Sequence, residues 1–318
     1  MGRFVHLHRH SDFSLLDGTG SADEYVEVVK ELNQPALAIT DHGNLSGAIH
    51  HAEACYANNI KPLIGMEAYF KPDRSLQDKD HKKANHTTLW SLNLDGFHNL
   101  MRLSSEAHTT GFHYKPCADW ELFGRYSQGL AVSTGCIAGP VPQAILAGDD
   151  KSVKAYCDKL QKIFKDNVFV EIMPHAMDDI RRVNIDLINI ANERGWPIIA
   201  TVDAHYPRKD WAPTQDIMLM MNTGQTIRKR KEQEEKGEDV YKFDIDTLYV
   251  MNRAEVERLF EVNHPNITPA IVQQACDNTL DLTNRVSPFL IDKSRKMPKV
   301  TLDKPIELEI QEWCEEGT

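Results

Sequence analysis

Several short apolar runs in this sequence end in histidine or acidic residues, and amphipathic segments separate the runs. The runs and the residues that follow them are 35–40 with Asp41 and His42, 61–66 with Glu67, and 197–202 with Asp203 and His205. Runs of this length predict buried strands, whereas the segments between them, with apolar residues at helical spacing, predict helices. Strands that alternate with helices are typical of a parallel α/β sheet.

The chain also begins with three alternating histidines, His6, His8 and His10, in a short apolar segment. This alternation predicts a strand that carries three imidazoles on one face. Imidazoles in that arrangement can bind a metal ion, and Asp17 supplies a carboxylate a few residues later. His6 lies deeper in the strand, so we expect it to pack or to support the other two.

The metal-ligand side chains fall at the ends of apparent strands or close to them. The active sites of α/β barrels lie where the carboxyl ends of the strands converge, so these residues are expected to meet there. The candidates are His8, His10, Asp17, His42, Glu67, His86, Cys136, Asp203 and His205. Nine ligands exceed one four-coordinate site, and carboxylates can bridge ions. The sequence therefore predicts two or three divalent ions, and the donor types suit Zn, Mn or Fe.

The other histidines do not occupy strand ends, and we expect them at the surface or in supporting positions. They are His50, His51, His81, His98, His108, His113, His175 and His264. Motifs of other enzyme classes are missing from the sequence. It contains no GxSxG, no P-loop, no GxGxxG and no HExxH, so a serine hydrolase, a nucleotide-phosphate loop and a zinc-protease helix are not supported.

The bulk composition limits the partners of the chain. With a net charge of -11, the protein lacks the excess of Lys and Arg that broad binding to nucleic acid requires, so any contact with DNA is expected to be local. No apolar run approaches the ~20 residues of a membrane span, and the N-terminus lacks a signal-peptide pattern. The six cysteines are scattered without a CxxC pair, which favours reduced thiols and a cytoplasmic protein.

The motifs, taken in order, resemble the polymerase and histidinol phosphatase (PHP) domain. More narrowly, they resemble the PHP domain at the N-terminus of bacterial DNA polymerase III alpha subunits. The resemblance covers about residues 3–285 and rests on HRHS at 8–11, SLLDG at 14–18, ITDHGNLSG at 39–47, IKPLIGME at 60–67, GFHNL at 96–100, STGC at 133–136 and ATVDAHY at 200–206.

This resemblance implies a distorted (β/α)7 TIM-like barrel with a trinuclear metal centre. In that pattern, His8, His10, Glu67 and Asp203 hold one ion; Glu67 bridges to a second ion with His86 and Cys136; and Asp17, His42 and His205 hold the third. Asp17 and Cys136 stand where many other PHP proteins have histidine, which favours the polymerase branch. The implied reaction is 3′→5′ exonuclease proofreading on DNA, with Asp203, His205 and Glu67 as the catalytic residues.

The resemblance also predicts the organisation and partners of the chain. We expect a PHP domain at 1–285 and, at 286–318, a helical or extended connector toward a polymerase palm, with the palm, thumb, fingers and other replisome subunits as partners. The palm carboxylates are not in this sequence, so we expect no DNA synthesis by this chain alone. Two alternatives to the exonuclease stay open. One is a small-molecule phosphoesterase, and the other is a catalytically silent module whose metals stabilise the polymerase.

Overall fold

The fold was analysed in a computed structural model, which describes residues 3–75, 84–237, 240, 245–289, 291, 294 and 306–315. The strands are β1 (Ala36–Ile39), β2 (Lys61–Phe70), β3 (Asn85–Ser91), β4 (Phe112–His113), β5 (Lys115–Ala118), β6 (Leu130–Ser133), β7 (Val168–Ile172) and β8 (Ile198–Ala200). The α-helices are α1 (Ala22–Glu31), α2 (Ala48–Ala57), α3 (Leu94–Thr110), α4 (Trp120–Tyr126), α5 (Pro140–Leu146), α6 (Asp150–Phe164), α7 (Asp178–Arg194), α8 (Ala212–Asn222), α9 (Ile227–Glu235), α10 (Arg253–Asn263), α11 (Pro269–Arg285) and α12 (Ile306–Glu315).

The sheet curls into a distorted barrel, which confirms the α/β barrel prediction. Its strands follow the order β4-β5-β2-β3-β6-β7-β8, and β1 pairs with β2. The N-terminal segment closes the ring between β1 and the end of β8. On one side, the carbonyl of His6 accepts from the Ala38 N–H at 3.0 Å. On the other side, the His10 N–H donates to the carbonyl of Ala204 at 2.8 Å.

Apolar side chains from alternate strand positions fill the barrel. The cluster includes Leu7, Leu63, Trp90, Phe169 and Ile199, each with no exposed surface. The Trp90 indole N–H donates to the carbonyl of Leu7 at 2.8 Å, so the largest side chain in this cluster also ties the N-terminal segment to the opposite wall. Because this core fills the barrel below the strand ends, the polar residues are confined to one end.

The alternation of strands and helices predicted a parallel sheet, but the sheet is only partly parallel. β3 runs antiparallel to both β2 and β6, and β4 runs antiparallel to β5. The antiparallel direction of β3 explains the position of His86. This residue lies near the start of its strand, opposite Tyr69 near the end of β2, so it faces the same end of the barrel as the residues that follow the parallel strands.

The three N-terminal histidines do not share one face, contrary to the prediction. The backbone bends at His8, which breaks the alternation of a regular strand. His6 Nε2 lies 2.9 Å from the carbonyl oxygen of Met251, and the N–H of Met251 donates to the same nitrogen at 3.0 Å. His6 therefore packs away from the other two histidines and has the supporting role that its depth in the segment suggested.

The C-terminal residues are described only in part. Residues 290, 292–293, 295–305 and 316–318 of the expected connector lie outside the described residues. Within the expected connector, residues Ile306–Glu315 form the helix α12. Within the described part of the chain, no helix combines the length and apolar character of a membrane span.

Candidate metal centre

Glu67 lies at the centre of the candidate site, at the carboxyl end of the barrel. Its side chain is 1% exposed, and its two oxygens face four imidazoles. The nitrogen–oxygen distances are 3.5 Å to His8, 3.3 Å to His10, 2.8 Å to His42 and 3.3 Å to His86. A carboxylate surrounded by ligand-type side chains in this way can serve as a metal ligand.

Asp203 and Asp17 extend the cluster on either side of Glu67. Asp203 Oδ1 lies 3.3 Å from His8 Nε2 and 3.1 Å from His10 Nε2. Asp17 Oδ2 lies 2.6 Å from His42 Nε2 and 3.5 Å from the Nε2 of His205. The backbone of Asp203 has φ of 50°, a strained conformation for a side chain other than glycine and one that is concentrated at functional sites.

Cys136 completes the set of nine. Its Sγ lies 3.4 Å from Glu67 Oε1, and the residue is 6% exposed. The turn before it requires glycine, because Gly135 has φ of +85° and a Cβ there would lie 2.5 Å from the carbonyl oxygen of His86. The sequence thus places the thiol beside His86 through a backbone approach that only glycine permits. The structure brings all nine predicted site residues together.

Three groups of these residues could each hold a metal ion, because their ligand atoms lie within 4.8 Å of one another. They are His8, His10 and Asp203; His42, Glu67 and His86; and His10, His42 and His205. The first group lies within the first ligand set implied by the family resemblance. In the other two groups, His42 joins Glu67 and His86, and His10 joins His42 and His205, whereas the resemblance places His42 in a different ligand set from His86 and from His10. The groups therefore support metal binding at this end of the barrel but do not assign each ligand to an ion.

Unpartnered polar atoms at the centre fit a cation. His8 Nε2, His10 Nε2, His42 Nδ1, Glu67 Oε2 and Asp203 Oδ1 are buried and lack a hydrogen bond of regular geometry, although they lie within ion-pair distance of one another. Burying polar atoms without partners is costly. Because all five atoms belong to residues that face one another across a few ångströms, metal ions between them would satisfy them together.

Hydrogen bonds behind the imidazoles fix which nitrogen faces inward. His8 Nδ1 lies 2.6 Å from Glu171 Oε1, and His10 Nδ1 lies 3.0 Å from Ser14 Oγ, which donates to Asp41 Oδ1 at 3.0 Å. With the proton of each ring on Nδ1, the Nε2 lone pair points into the site. This arrangement of outer partners is typical of metal-bound histidine.

Glu171 is a functional residue that sequence reasoning missed. It is 2% exposed on β7 and, besides His8, accepts hydrogen bonds from Thr201 Oγ1 at 2.6 Å and Ser133 Oγ at 2.7 Å. The signal that could have identified it is a single carboxylate inside the otherwise apolar strand VFVEI. Both of its oxygens already have partners, so it orients His8 rather than facing the centre.

The remaining histidines that the structure describes have supporting or surface positions, as expected. His51 accepts from Arg9 Nη2 at 2.9 Å inside the protein, His175 and His264 are also buried, and His50 is exposed. His81 lies outside the described residues.

The charges of the site favour a cation. Burial alone would lower the pKa of His42, but Glu67 and Asp17 outweigh it and raise the pKa to about 10. Burial likewise opposes protonation of His205, yet Asp17 and Asp203 raise its pKa to about 9. Burial would raise the pKa of Glu67, but the surrounding imidazoles hold it well below its usual range. The carboxylates therefore stay ionised and attract positive charge to the barrel end, which protons or metal ions can supply.

The fold and site together define an α/β barrel protein whose strand ends can hold divalent metal ions. A family model described as PHP domain matches residues 6–175, more than half of the chain. The chain belongs to the PHP domain family.

Curated relatives place it within that family. It is 36% identical over 261 residues to DNA polymerase III subunit alpha of Treponema pallidum, a match that covers 81% of this chain and 22% of the relative. It is 34% identical over 313 residues to DNA polymerase III subunit alpha of Deinococcus radiodurans, covering 94% of this chain and 22% of that protein. These similarities support a PHP domain of the DNA polymerase III alpha type, and the chain spans about a fifth of the length of these relatives.

Among solved structures, an amidohydrolase from Chromobacterium violaceum, with bound sulfate and no metal, is similar at a TM-score of 0.39 and 14% identity. The match covers 65% of this chain and 89% of that chain.

Proposed function

We propose that this chain is a metal-dependent phosphodiesterase domain of a DNA polymerase III alpha subunit, and that it removes nucleotides from the 3′ end of DNA. The observation that supports this most is the set of buried imidazole and carboxylate atoms that face one another within ion-pair distance at the barrel end. We propose the nine residues as ligands of two or three ions of Zn, Mn or Fe. Bound divalent ions would supply an activated water and stabilise the charge on the attacking and leaving oxygens of a phosphoester.

The exposure of the ligands indicates which of them meet the substrate. The Glu67 side chain is 1% exposed, whereas the side chains of Asp17, Asp203 and His86 are 18%, 18% and 24% exposed. Glu67 therefore holds charge at the bottom of the site. Asp203 lies at the opening beside His205, whose Nδ1 is 2.7 Å from the Asp203 carbonyl oxygen. We assign proton transfer to Asp203, whose side chain is 18% exposed, and to His205, which is only 5% exposed but is held in a fixed orientation beside it.

The wider organisation is part of the same proposal. Residues 1–285 form the PHP domain and 286–318 a connector toward the palm of the parent chain, with DNA and replisome subunits as partners in the cytoplasm. The path of the chain past α11 supports this division. The Ser287 N–H donates to the carbonyl of Leu92 at 2.8 Å, and Phe289 stacks on Phe97 at 5.6 Å between ring centroids, so the chain leaves along the outer surface of the barrel.

A trimming assay with the purified chain tests the activity. The substrate is a 5′-labelled oligonucleotide with a single-stranded 3′ end, supplied with Mn²⁺ or Zn²⁺. We expect wild-type protein to shorten it, and we expect Asp203→Asn to lower the rate at least about 100-fold, since a charged ligand of the ions is removed. Asp95→Asn is the matched control, because Asp95 is exposed on α3.

The same assay separates the alternatives. Equal trimming by wild type and Asp203→Asn would assign the activity to a contaminant and contradict the proposal. Turnover of a small phosphomonoester without trimming would favour the metabolite phosphoesterase. A metal-dependent rise in melting temperature without hydrolysis of either substrate would favour the structural module.

A further inference from the structure

A two-stranded hairpin stands beside the metal centre. Its strands, β4 and β5, pair His113 with Lys115, so Tyr114 lies between them at the tip of the hairpin. Tyr114 has φ of +63°, a conformation that is a genuine outlier for a bulky side chain. Strain of this kind persists where the surrounding structure enforces it and is concentrated at functional sites.

The tip of the hairpin presents aromatic surface to solvent. Phe112 is 55% exposed and Tyr114 is 61% exposed, and the ring of His113 meets that of Tyr114 edge-on at 4.6 Å. Lys115, the next residue, is also exposed. Two exposed aromatic rings beside a lysine within four residues form a surface that combines flat apolar faces with positive charge.

Close packing fixes the hairpin next to the predicted ligands. β5 pairs with β2 at Tyr69, and the Tyr69 ring centroid lies 5.7 Å from that of His42 and 5.0 Å from that of His86. Gly43, next to His42, touches both elements. A Cβ at Gly43 would lie 3.0 Å from Pro116 Cγ and 3.0 Å from Tyr69 Cδ2. The hairpin is therefore packed against the loop that carries a predicted ligand.

Two lysines lie close to Tyr69, between the hairpin and the metal centre. Lys115 Nζ is 5.0 Å from the centroid of the Tyr69 ring. Lys71 follows two residues after Tyr69 and is 4% exposed, and its Nζ has no hydrogen-bond partner among the described residues. An ammonium withdrawn from water without a partner is costly, and the negative charge of a strand bound beside Lys115 would lower that cost through space.

We propose that the exposed residues Phe112, Tyr114 and Lys115 form a binding surface for single-stranded nucleic acid, which leads its 3′ end past the buried Tyr69 and Lys71 into the metal centre. Aromatic rings that stack on bases and lysines that follow phosphates are the elements by which proteins bind single strands. A duplex hides the faces of its bases, so this surface selects an unpaired end. The net charge of -11 makes such a local site necessary. This inference rests on the proposed phosphodiesterase function, because it names how that site recognises its substrate.

Binding of fluorescein-labelled dT12 to the full chain, followed by anisotropy, tests the proposal. Phosphorothioate linkages at the 3′ end block cleavage, so the result does not depend on hydrolysis. We expect Tyr114→Ala to weaken binding about tenfold, the lower part of the range for one stacked base. We expect Lys115→Ala to reduce the slope of log K against log salt by about 0.7, the contribution of one phosphate contact on a single strand, whereas Tyr114→Ala leaves the slope unchanged.

Two variants on distant exposed surfaces are the controls. Val262→Ala removes an apolar side chain that is 69% exposed, and Lys154→Ala removes a lysine whose side chain is 75% exposed. Both are expected to bind dT12 as wild type does. The proposal would be overturned if Tyr114→Ala or Lys115→Ala bound dT12 with a dissociation constant within twofold of that of these controls. The exposed aromatic tip would then be assigned to binding a protein partner. A wild-type chain that binds a 12-base-pair duplex as tightly as dT12 would also overturn it. Absence of hydrolysis in the trimming assay, by contrast, would count against the proposed function alone.

Discussion

Replacing Glu171 with glutamine tests whether a carboxylate behind the site tunes metal binding. Glutamine keeps the shape of the side chain. Its carbonyl can accept from His8 and Thr201, and its amide can donate to Ser133, whose hydroxyl can turn to accept. The variant therefore keeps hydrogen bonds across the three contacts seen at 2.6, 2.6 and 2.7 Å, with the direction reversed at Ser133, and removes the negative charge behind the His8 ring.

The expected effect is a loss of metal affinity of about 10- to 100-fold, the range found when such outer partners of metal-bound histidine are changed. This corresponds to about 1.4–2.7 kcal/mol, consistent with the ~1.5–3 kcal/mol of one hydrogen bond to a charged group. The measurement is competition for Zn²⁺ and for Mn²⁺ against a chelating dye. Urea unfolding of the metal-free protein is expected to show little change, because the hydrogen bonds remain.

Glu261→Gln is the matched control, since Glu261 is exposed on α10. Wild-type metal affinity in Glu171→Gln would refute the argument that Glu171 acts through His8. Equal losses in the two variants would attribute the effect to net charge rather than to position.

Two further predictions concern the scaffold. Burial, and then the charge of Arg9, lower the pKa of His51, so the native state keeps it neutral. As the pH is lowered from ~6.5, the free energy of unfolding of the wild type should therefore decrease more steeply than that of His51→Gln, by up to about 1.4 kcal/mol per pH unit. Urea titrations that give parallel pH profiles for the two proteins would contradict this. Gly96→Ala should destabilise the protein strongly, because a Cβ there would lie 1.9 Å from the carbonyl oxygen of Gly129. Gly124→Ala in α4, where a Cβ meets nothing within 4 Å, should instead stabilise it by about 0.5–1 kcal/mol in the same urea assay.

Much of the site could be predicted because its residues follow apolar runs. The run that ends before Glu67 and the run that ends before Asp203 are buried strands, and the rules of α/β barrels place their ends together. The direction of β3 could not be predicted, because the pattern of apolar residues is the same for a strand read in either direction. The sequence therefore predicts that His86 lies near a strand end but gives no reason for it to meet Glu67.

Other features depend on contacts that the sequence does not display. His6 lies on a different face from His8 and His10 because the backbone bends at His8, and the alternation of residues in the sequence does not reveal that bend. Glu171 cannot be recognised from the sequence as part of the site, because one acidic residue hardly changes the apolar pattern of the strand Val168–Ile172. The hairpin around Tyr114 was missed because a strand of two residues, Phe112–His113, is too short to show any period.

The most direct test of the central claim is anomalous X-ray scattering from crystals of the metal-loaded protein, measured on both sides of the absorption edges of Zn, Mn and Fe. We predict two or three anomalous peaks at the barrel end, each within about 2.0–2.3 Å of His, Asp, Glu or Cys ligand atoms among the nine proposed residues. We also predict that the peak beside Glu67 weakens in Glu67→Gln. Density without anomalous peaks at this end of the barrel, in crystals grown with these metals, would contradict the account.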